Sequence, residues 1–327
     1  MSAPASPTVF VLDRNAVVPA AAGAVLRGAL VAAPEVALLD ITGSGALACM
    51  QGLLTNDLEG PGEGAFLYGA LLTPKGMIVC DLWVARDAGG LQLTVPADGL
   101  PALLELFRRT LPPRLARVAD RSADLAALRL VGPAVLAVAE RAGLAVPPDG
   151  KSAGPLARPH AGAPFAAQAV VERSQLPALV ARLTQAGAVA GGIADLELAR
   201  VIAGWPRLGA EIDDKTLPQE VRYDEIGGVS YTKGCYTGQE TVARVHFRGH
   251  PNRALRGVVW SGEPDLSITD VVQDGKPRGR VTSAAWVHPS GTYLGLALLR
   301  REVDDARPLT AAGADARVAS LPFDLGA

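Results

Sequence analysis

Lys233, Gly234 and Cys235 set a cation, a position without a side chain and a thiol in three consecutive residues. A thiol acts as a nucleophile or metal ligand only as its thiolate, and a neighbouring cation or helix N-terminus lowers its pKa below about 8.5. The flanking residues predict such a terminus. Thr237 and Glu240 form T-x-x-E, the capping-box pattern, ahead of Val242, Ala243 and Val245. The spacing thus places Cys235 just before a helix start, with Gly234 leaving room for a partner to approach the sulfur. A small buried hydrophobe is the usual state of a free cysteine. Here the charged, glycine-flanked context favours a functional thiol.

The rest of the chain limits what that thiol can do alone. Cys49, Cys80 and Cys235 are the three cysteines. They lie far apart, fit a reducing compartment, and are too few for the four thiolates an iron–sulfur cluster takes. His246 and His250 suggest metal ligands only on a continuing helix, which Gly249 interrupts, so no metal site is expected. With 31 basic and 33 acidic side chains, the net charge of −2 excludes a strongly basic nucleic-acid coat. An apolar fraction of 49% against 20% charged residues excludes a disordered chain. The longest mostly apolar stretch, residues 16–26, holds Pro19 and Gly23 and falls short of the roughly 20 residues a spanning helix needs. No basic segment precedes it, so no membrane, signal or transit segment is expected and the cytoplasm is the expected compartment.

Elements must hold these residues in place, and 327 residues suit two or three packed domains. Residues 35–41 read as a buried strand, with Ser44 as N-cap of a helix carrying Ala46, Leu47, Met50 and Leu53. Strands at 64–72, 77–86 and 91–95 follow, joined by turns at 73–76 and 87–90. Two segments then resemble each other. Leu91 to Val95 feeds Leu100-Pro101-Ala102-Leu103, and Ala169 to Val171 feeds Leu176-Pro177-Ala178-Leu179. In each, a strand leads into a helix with proline in its first turn. The repeat implies an α+β fold with two ferredoxin-like halves. Residues 146–164, rich in Pro, Gly and Ala, read as a long loop, and 195–203 as a short helix capped by Asp195. Beyond Pro251, short strands at 255–260, 280–287 and 292–299 alternate with turns at 274–275 and 289–291, the spacing of a small β-barrel or sandwich. A boundary near 250 therefore divides residues 1–250, two interleaved α+β subdomains, from a barrel domain at 251–327.

Lys233-Gly234-Cys235-Tyr236-Thr237-Gly238-Gln239-Glu240, followed by Ala243-Arg244 and Arg248-Gly249, resembles the signature of the YgfZ family. Similarity continues at Leu53-Leu54-Thr55-Asn56-Asp57, Ala203-Gly204-Trp205-Pro206, Leu217-Pro218-Gln219-Glu220 and Val281-Thr282-Ser283. The resemblance implies a folate-binding protein that serves iron–sulfur cluster assembly and tRNA modification, related to the aminomethyltransferase (T-protein) of the glycine cleavage system. It implies three domains around a central channel for tetrahydrofolate, with Cys235 as the residue tied to activity. Expected partners are folate, iron–sulfur client or assembly proteins, and RNA in transient contact.

Lys233 is then the expected helper of Cys235, and Asp57, Glu197 and Arg200 are candidate folate contacts, although Glu197 and Arg200 also suit a surface ion pair. Lys233, Arg244, Arg248, Arg253 and Arg256 form either a solvated basic face or a seat for glutamyl carboxylates or RNA phosphates. Two departures bear on the reaction. T-proteins carry an Asp-Asp pair where this chain has Cys80-Asp81, and a pterin-contacting Glu where it has Ile202. Adjacent strand residues face opposite ways, so Asp81 is not expected to replace a carboxylate at position 80. Both changes favour an accessory protein over the alternative, a folate-dependent aminomethyl or one-carbon transferase.

Overall fold

Apolar runs punctuated by glycine, aspartate and proline become strands and helices throughout the computed structural model, which describes residues 10–12, 14–288 and 290–325. The chain opens with β1 (Phe10–Leu12), α1 (Pro19–Arg27) and β2 (Leu30–Ala32). A first half follows: β3 (Val36–Thr42), α2 (Ala46–Gln51), β4 (Phe66–Leu72), β5 (Ile78–Asp87), β6 (Gly90–Pro96), α3 (Leu100–Thr110) and β7 (Arg117–Asp120). The second half repeats that order. It comprises β8 (Leu125–Val131), α4 (Val135–Arg141), β9 (Lys151–Ala153), β10 (Leu156–Arg158), β11 (Ala167–Glu172), α5 (Leu176–Gln185) and β12 (Val189–Ala190). After α6 (Ile193–Ala203) and α7 (Gln239–Arg248) come β13 (Arg253–Trp260), β14 (Asp270–Gln273), β15 (Lys276–Val287), β16 (Thr292–Arg300), β17 (Leu309–Ala311) and β18 (Ala314–Ala319).

Both halves order their strands alike, β4-β5-β6-β3-β7 in one and β9-β10-β11-β8 in the other, where β2 inserts between β8 and β12. This is a ferredoxin-like order with one strand added at the edge. Every pair in the first sheet is antiparallel, the added strand β4 included. The Leu-Pro helix starts also agree: each follows a 3-10 turn, Ala97–Gly99 or Arg173–Gln175, and Leu100 and Leu176 share φ −56° and ψ −45°. In α3, Leu103 and Phe107 are buried, each contributing roughly 1.5–3 kcal/mol of apolar burial. Leu179 and Leu183 do the same in α5.

The C-terminal strands close on themselves. The order β15-β14-β17-β18-β13-β16 is completed by β15–β16 pairing, and β1 adds to β15 in parallel, so the N-terminus joins the barrel. Three local expectations change. Ser44 does not cap α2, whose N-cap is Gly45 with no side-chain bond. Residues 146–164 are not all loop, since β9 and β10 pair there with one another and with β11. Asp195 sits inside the first turn of α6, accepting from the Gly192 N–H at 2.8 Å, while Gly204 ends the helix at φ +64°. Of the expected turn at 289–291, residues 290 and 291 turn ahead of β16, and Pro289 lies outside the described residues. No helix among the described residues is long and apolar enough to cross a membrane.

Candidate functional site

The segment carrying Cys235 is fastened to the first half by Lys233. Its ammonium donates to the carbonyls of Gln51 at 2.7 Å, Leu54 at 2.7 Å and Asn56 at 2.9 Å, where the chain leaves α2. Lys233 is buried, and burial pushes its pKa down to about 8. Lys233 is therefore a clasp whose three donors are engaged away from the thiol. Tyr236 is buried beneath the same ammonium, 5.2 Å from its ring centre, with its phenol pushed up to about 12 by burial. Between them, Gly234 and Cys235 are exposed, and no atom comes within 4 Å of a side chain built at Gly234. The sulfur is thus open to solvent, as a functional thiol requires, and lines none of the cavities described below.

The expected capping box does not form. Helix α7 starts at Gln239 behind Gly238, which has φ +83°, and no side chain caps it. Thr237 lies outside the helix, its N–H bonded to the Gly52 carbonyl at 3.0 Å, and Glu240 is exposed. The reason is packing: a Cβ on Gly238 would lie 2.6 Å from the Thr73 carbonyl oxygen, so the chain turns tightly against the β4–β5 turn. Cys235 stands three residues before the N-cap instead of beside it.

Of the five basic residues read as one patch, three are neutralised. Lys233 is clasped, Arg253 pairs with Glu220 at 3.0 Å through two nitrogens, and Arg256 pairs with Asp305. Helix α7 ends at Arg248, so His246 and His250 part, one to Asp224 and the other to Arg301. Asp57 braces its own loop, accepting from Gln51 Nε2 at 2.8 Å and from the N–H groups of Glu59 and Gly60. Burial pushes its carboxyl up, but these bonds outweigh it and hold the group below its usual range.

A second centre lies where the two halves meet α6. A cavity of about 310 Å³ is walled by Asp81 and Trp83 of β5, Arg129 of β8, Glu197 and Arg200 of α6, and Trp205. Asp81 is buried; Tyr68 donates to its Oδ2 at 2.9 Å, and Tyr223 shares the Tyr68 hydroxyl at 3.0 Å. Its Oδ1 has no partner. Burial raises this carboxyl to about 6, against the Tyr68 bond and the Arg129 charge. Arg129 is half-buried, its Nε has no hydrogen-bond partner, and desolvation lowers its pKa to about 10. Trp83 and Trp205 stack at 5.7 Å and 16° beside them. Asp81 and Arg129 thus put an acceptor and a donor beside aromatic faces in one cavity wall, an arrangement suited to a flat heterocycle with donors and acceptors on one edge.

Glu197 and Arg200 are not a surface pair. Arg200 Nε meets Glu197 at 2.7 Å, Nη1 meets Glu211 at 3.0 Å, and Nη2 donates to Ser283 at 2.7 Å. Glu211, with no exposed surface, also accepts from Thr282 at 2.7 Å and Ser283 at 2.6 Å in β15. This network joins α6 to the barrel, and its α6 members face the cavity. Two further expectations shift. Asp81, not position 80, faces the cavity, while Cys80 is fully buried in the core of the first half. The Cys80 substitution therefore leaves a carboxylate in place. Ile202 lines a different, larger cavity of about 710 Å³ walled by Val25, Phe165 and Phe323. Sequence reasoning missed Arg129, whose signal was a lone arginine inside the apolar run Leu125–Val131.

Residues 27–144 match the family model of the GCVT N-terminal domain. Curated relatives are tRNA-modifying proteins YgfZ. That of Aliivibrio fischeri strain MJ11 is 33% identical over 104 residues, 31% of this chain and 33% of its own. That of Escherichia coli O139:H28 is 49% identical over 53 residues, 16% of each chain. Over those segments this chain is similar to YgfZ proteins. Its matches span about a third or less of those relatives' length. The chain shares its fold with the glycine cleavage system aminomethyltransferase T from Bartonella henselae, at TM-score 0.80 over 93% of this chain and 89% of that one. Identity there is 19%, so the likeness concerns the fold alone.

Proposed function

We propose that this chain binds a reduced folate in the Asp81–Arg129 cavity and presents Cys235 as an essential thiol, acting as an accessory factor for iron–sulfur cluster maintenance. The unpartnered Asp81 Oδ1 and Arg129 Nε carry the reading. A pterin edge offers N–H donors to such a carboxylate and ring acceptors to such a guanidinium. A volume of about 310 Å³ lies at the lower end of ligand pockets, roughly 300–1,000 Å³. In this reading Glu197 and Arg200 shape the wall, Asp57 fixes the loop at a neighbouring mouth, and Lys233 positions the segment that displays the sulfur. Tetrahydrofolate supplies a one-carbon carrier; the chain supplies orientation and exclusion of water. The relatives' name extends the proposal to enzymes of tRNA modification as clients, reached in a reducing cytoplasm.

The test is a titration with 5-formyltetrahydrofolate followed by tryptophan fluorescence, since Trp83 and Trp205 line the cavity. Saturable quenching that weakens at least tenfold in Asp81→Asn and is kept in Cys235→Ser is expected. Unchanged binding by Asp81→Asn would remove the cavity from the proposal.

One observation favours a transferase as a second reading. A carboxyl near pKa 6 inside a cavity can take or give a proton at neutral pH. Formation of methylene-tetrahydrofolate from tetrahydrofolate and an aminomethyl donor, abolished by Asp81→Asn, would establish it.

A further inference from the structure

Phe247, 67% exposed, is the most exposed large apolar side chain among the described residues. It stands at the end of an ordered aromatic group. Tyr231 and His246 stack at 3.7 Å and 19°, and His246 meets the Phe247 ring edge-on at 4.7 Å and 88°. Asp224 locks the stack by accepting from Tyr231 and bonding His246 Nδ1 at 3.1 Å. On α7, Arg244 and Arg248 lie three residues before and one after Phe247, the first within reach along the same helix face. Both are exposed and neither guanidinium has a partner among the described residues; Glu240, one turn earlier, pairs with neither. Arg301 reaches the helix end through His250.

A face built to dock an apolar protein surface would spread several exposed aliphatic side chains. This one has a single projecting ring among free guanidinium groups. Aromatic faces stack unpaired bases and guanidinium groups take phosphates, so the combination fits one polymer class. We propose that the α7 face, on the same segment as Cys235, binds single-stranded RNA, with Phe247 stacking a base and Arg244 and Arg248 contacting phosphates. The inference rests on this surface and not on folate binding.

The experiment is fluorescence anisotropy of the full chain with fluorescein-labelled oligouridylate across a salt series. Loss of one stacked base predicts weakening of roughly 5- to 150-fold in Phe247→Ala, with Phe247→Tyr close to wild type. The Arg244→Ala, Arg248→Ala double variant should reduce the slope of log affinity against log salt by about 1.4, two single-strand phosphate contacts. All variants should quench normally with 5-formyltetrahydrofolate, which separates this outcome from failure of the folate reading. Equal RNA binding by wild type and Phe247→Ala, or poly-glutamate bound as tightly as the oligouridylate, would overturn it, the latter assigning the face to an acidic protein.

Discussion

Tyr68 donates its hydroxyl hydrogen to Oδ2 of Asp81 at 2.9 Å, which leaves Oδ1 as the carboxyl oxygen without a partner at the cavity wall. Tyr68 is in turn bonded to Tyr223 at 3.0 Å, and both phenols are buried and held well above their ordinary value by burial first, then by the Asp81 charge. The pair therefore orients the carboxyl without competing for its proton. The proposed ligand recognition and the titration of Asp81 rest on one arrangement.

Asp81→Asn should stabilise the protein at neutral pH. The folded carboxyl holds its proton up to about pH 6, whereas its ordinary pKa is 3.8. Between those values the folded chain binds more protons than the unfolded one, so stability falls as pH rises through that window, by about 3 kcal/mol. Asparagine removes the fall. Urea unfolding at pH 4 and pH 7 should show a flatter profile for the variant; parallel profiles would contradict the buried, titrating carboxyl.

Glu211→Ala should be among the costliest single changes. It strands Arg200 in the joint between α6 and β15, and loss of one partner of a buried ion pair costs about 3–5 kcal/mol. Glu211→Gln, which can still accept from Thr282 and Ser283, should cost less. Denaturant midpoints decide, and equal midpoints for the two variants would count against the network.

The two glycines flanking Tyr236 and Cys235 should respond oppositely to alanine. Gly238→Ala forces φ +83° on a residue with a Cβ and sets it 2.6 Å from the Thr73 oxygen, a cost of at least about 1–2 kcal/mol. Gly234→Ala meets no atom within 4 Å and should stay within about 0.5 kcal/mol of wild type. Thermal midpoints measure both.

Thiol labelling should follow exposure. Iodoacetamide should modify Cys235 first, Cys49 more slowly, and Cys80 only on unfolding. Cys235→Ser should fold normally yet fail to restore iron–sulfur enzyme activity in cells lacking this protein. Full rescue by the serine variant would take the thiol out of the mechanism.

The sequence by itself determined the two strand–helix units of the α+β halves, since Leu-Pro helix starts and apolar spacing are local signals that the backbone obeys wherever it packs, whereas β9 and β10, in a segment rich in Pro, Gly and Ala, emerged only from pairing with β11. Turn spacing also marked the all-β tail, while its closure into a barrel came from the β15–β16 pairing. Only the tertiary structure decided where charges went. Lys233 lies two residues from Cys235, yet its ammonium meets carbonyls about 180 residues away in sequence. Asp81, Arg129 and Arg200 come from three elements that converge only when the halves close on α6. A buried charge must find partners or a ligand because desolvation is costly. Those partners are chosen by packing in space, which spacing along the chain does not encode.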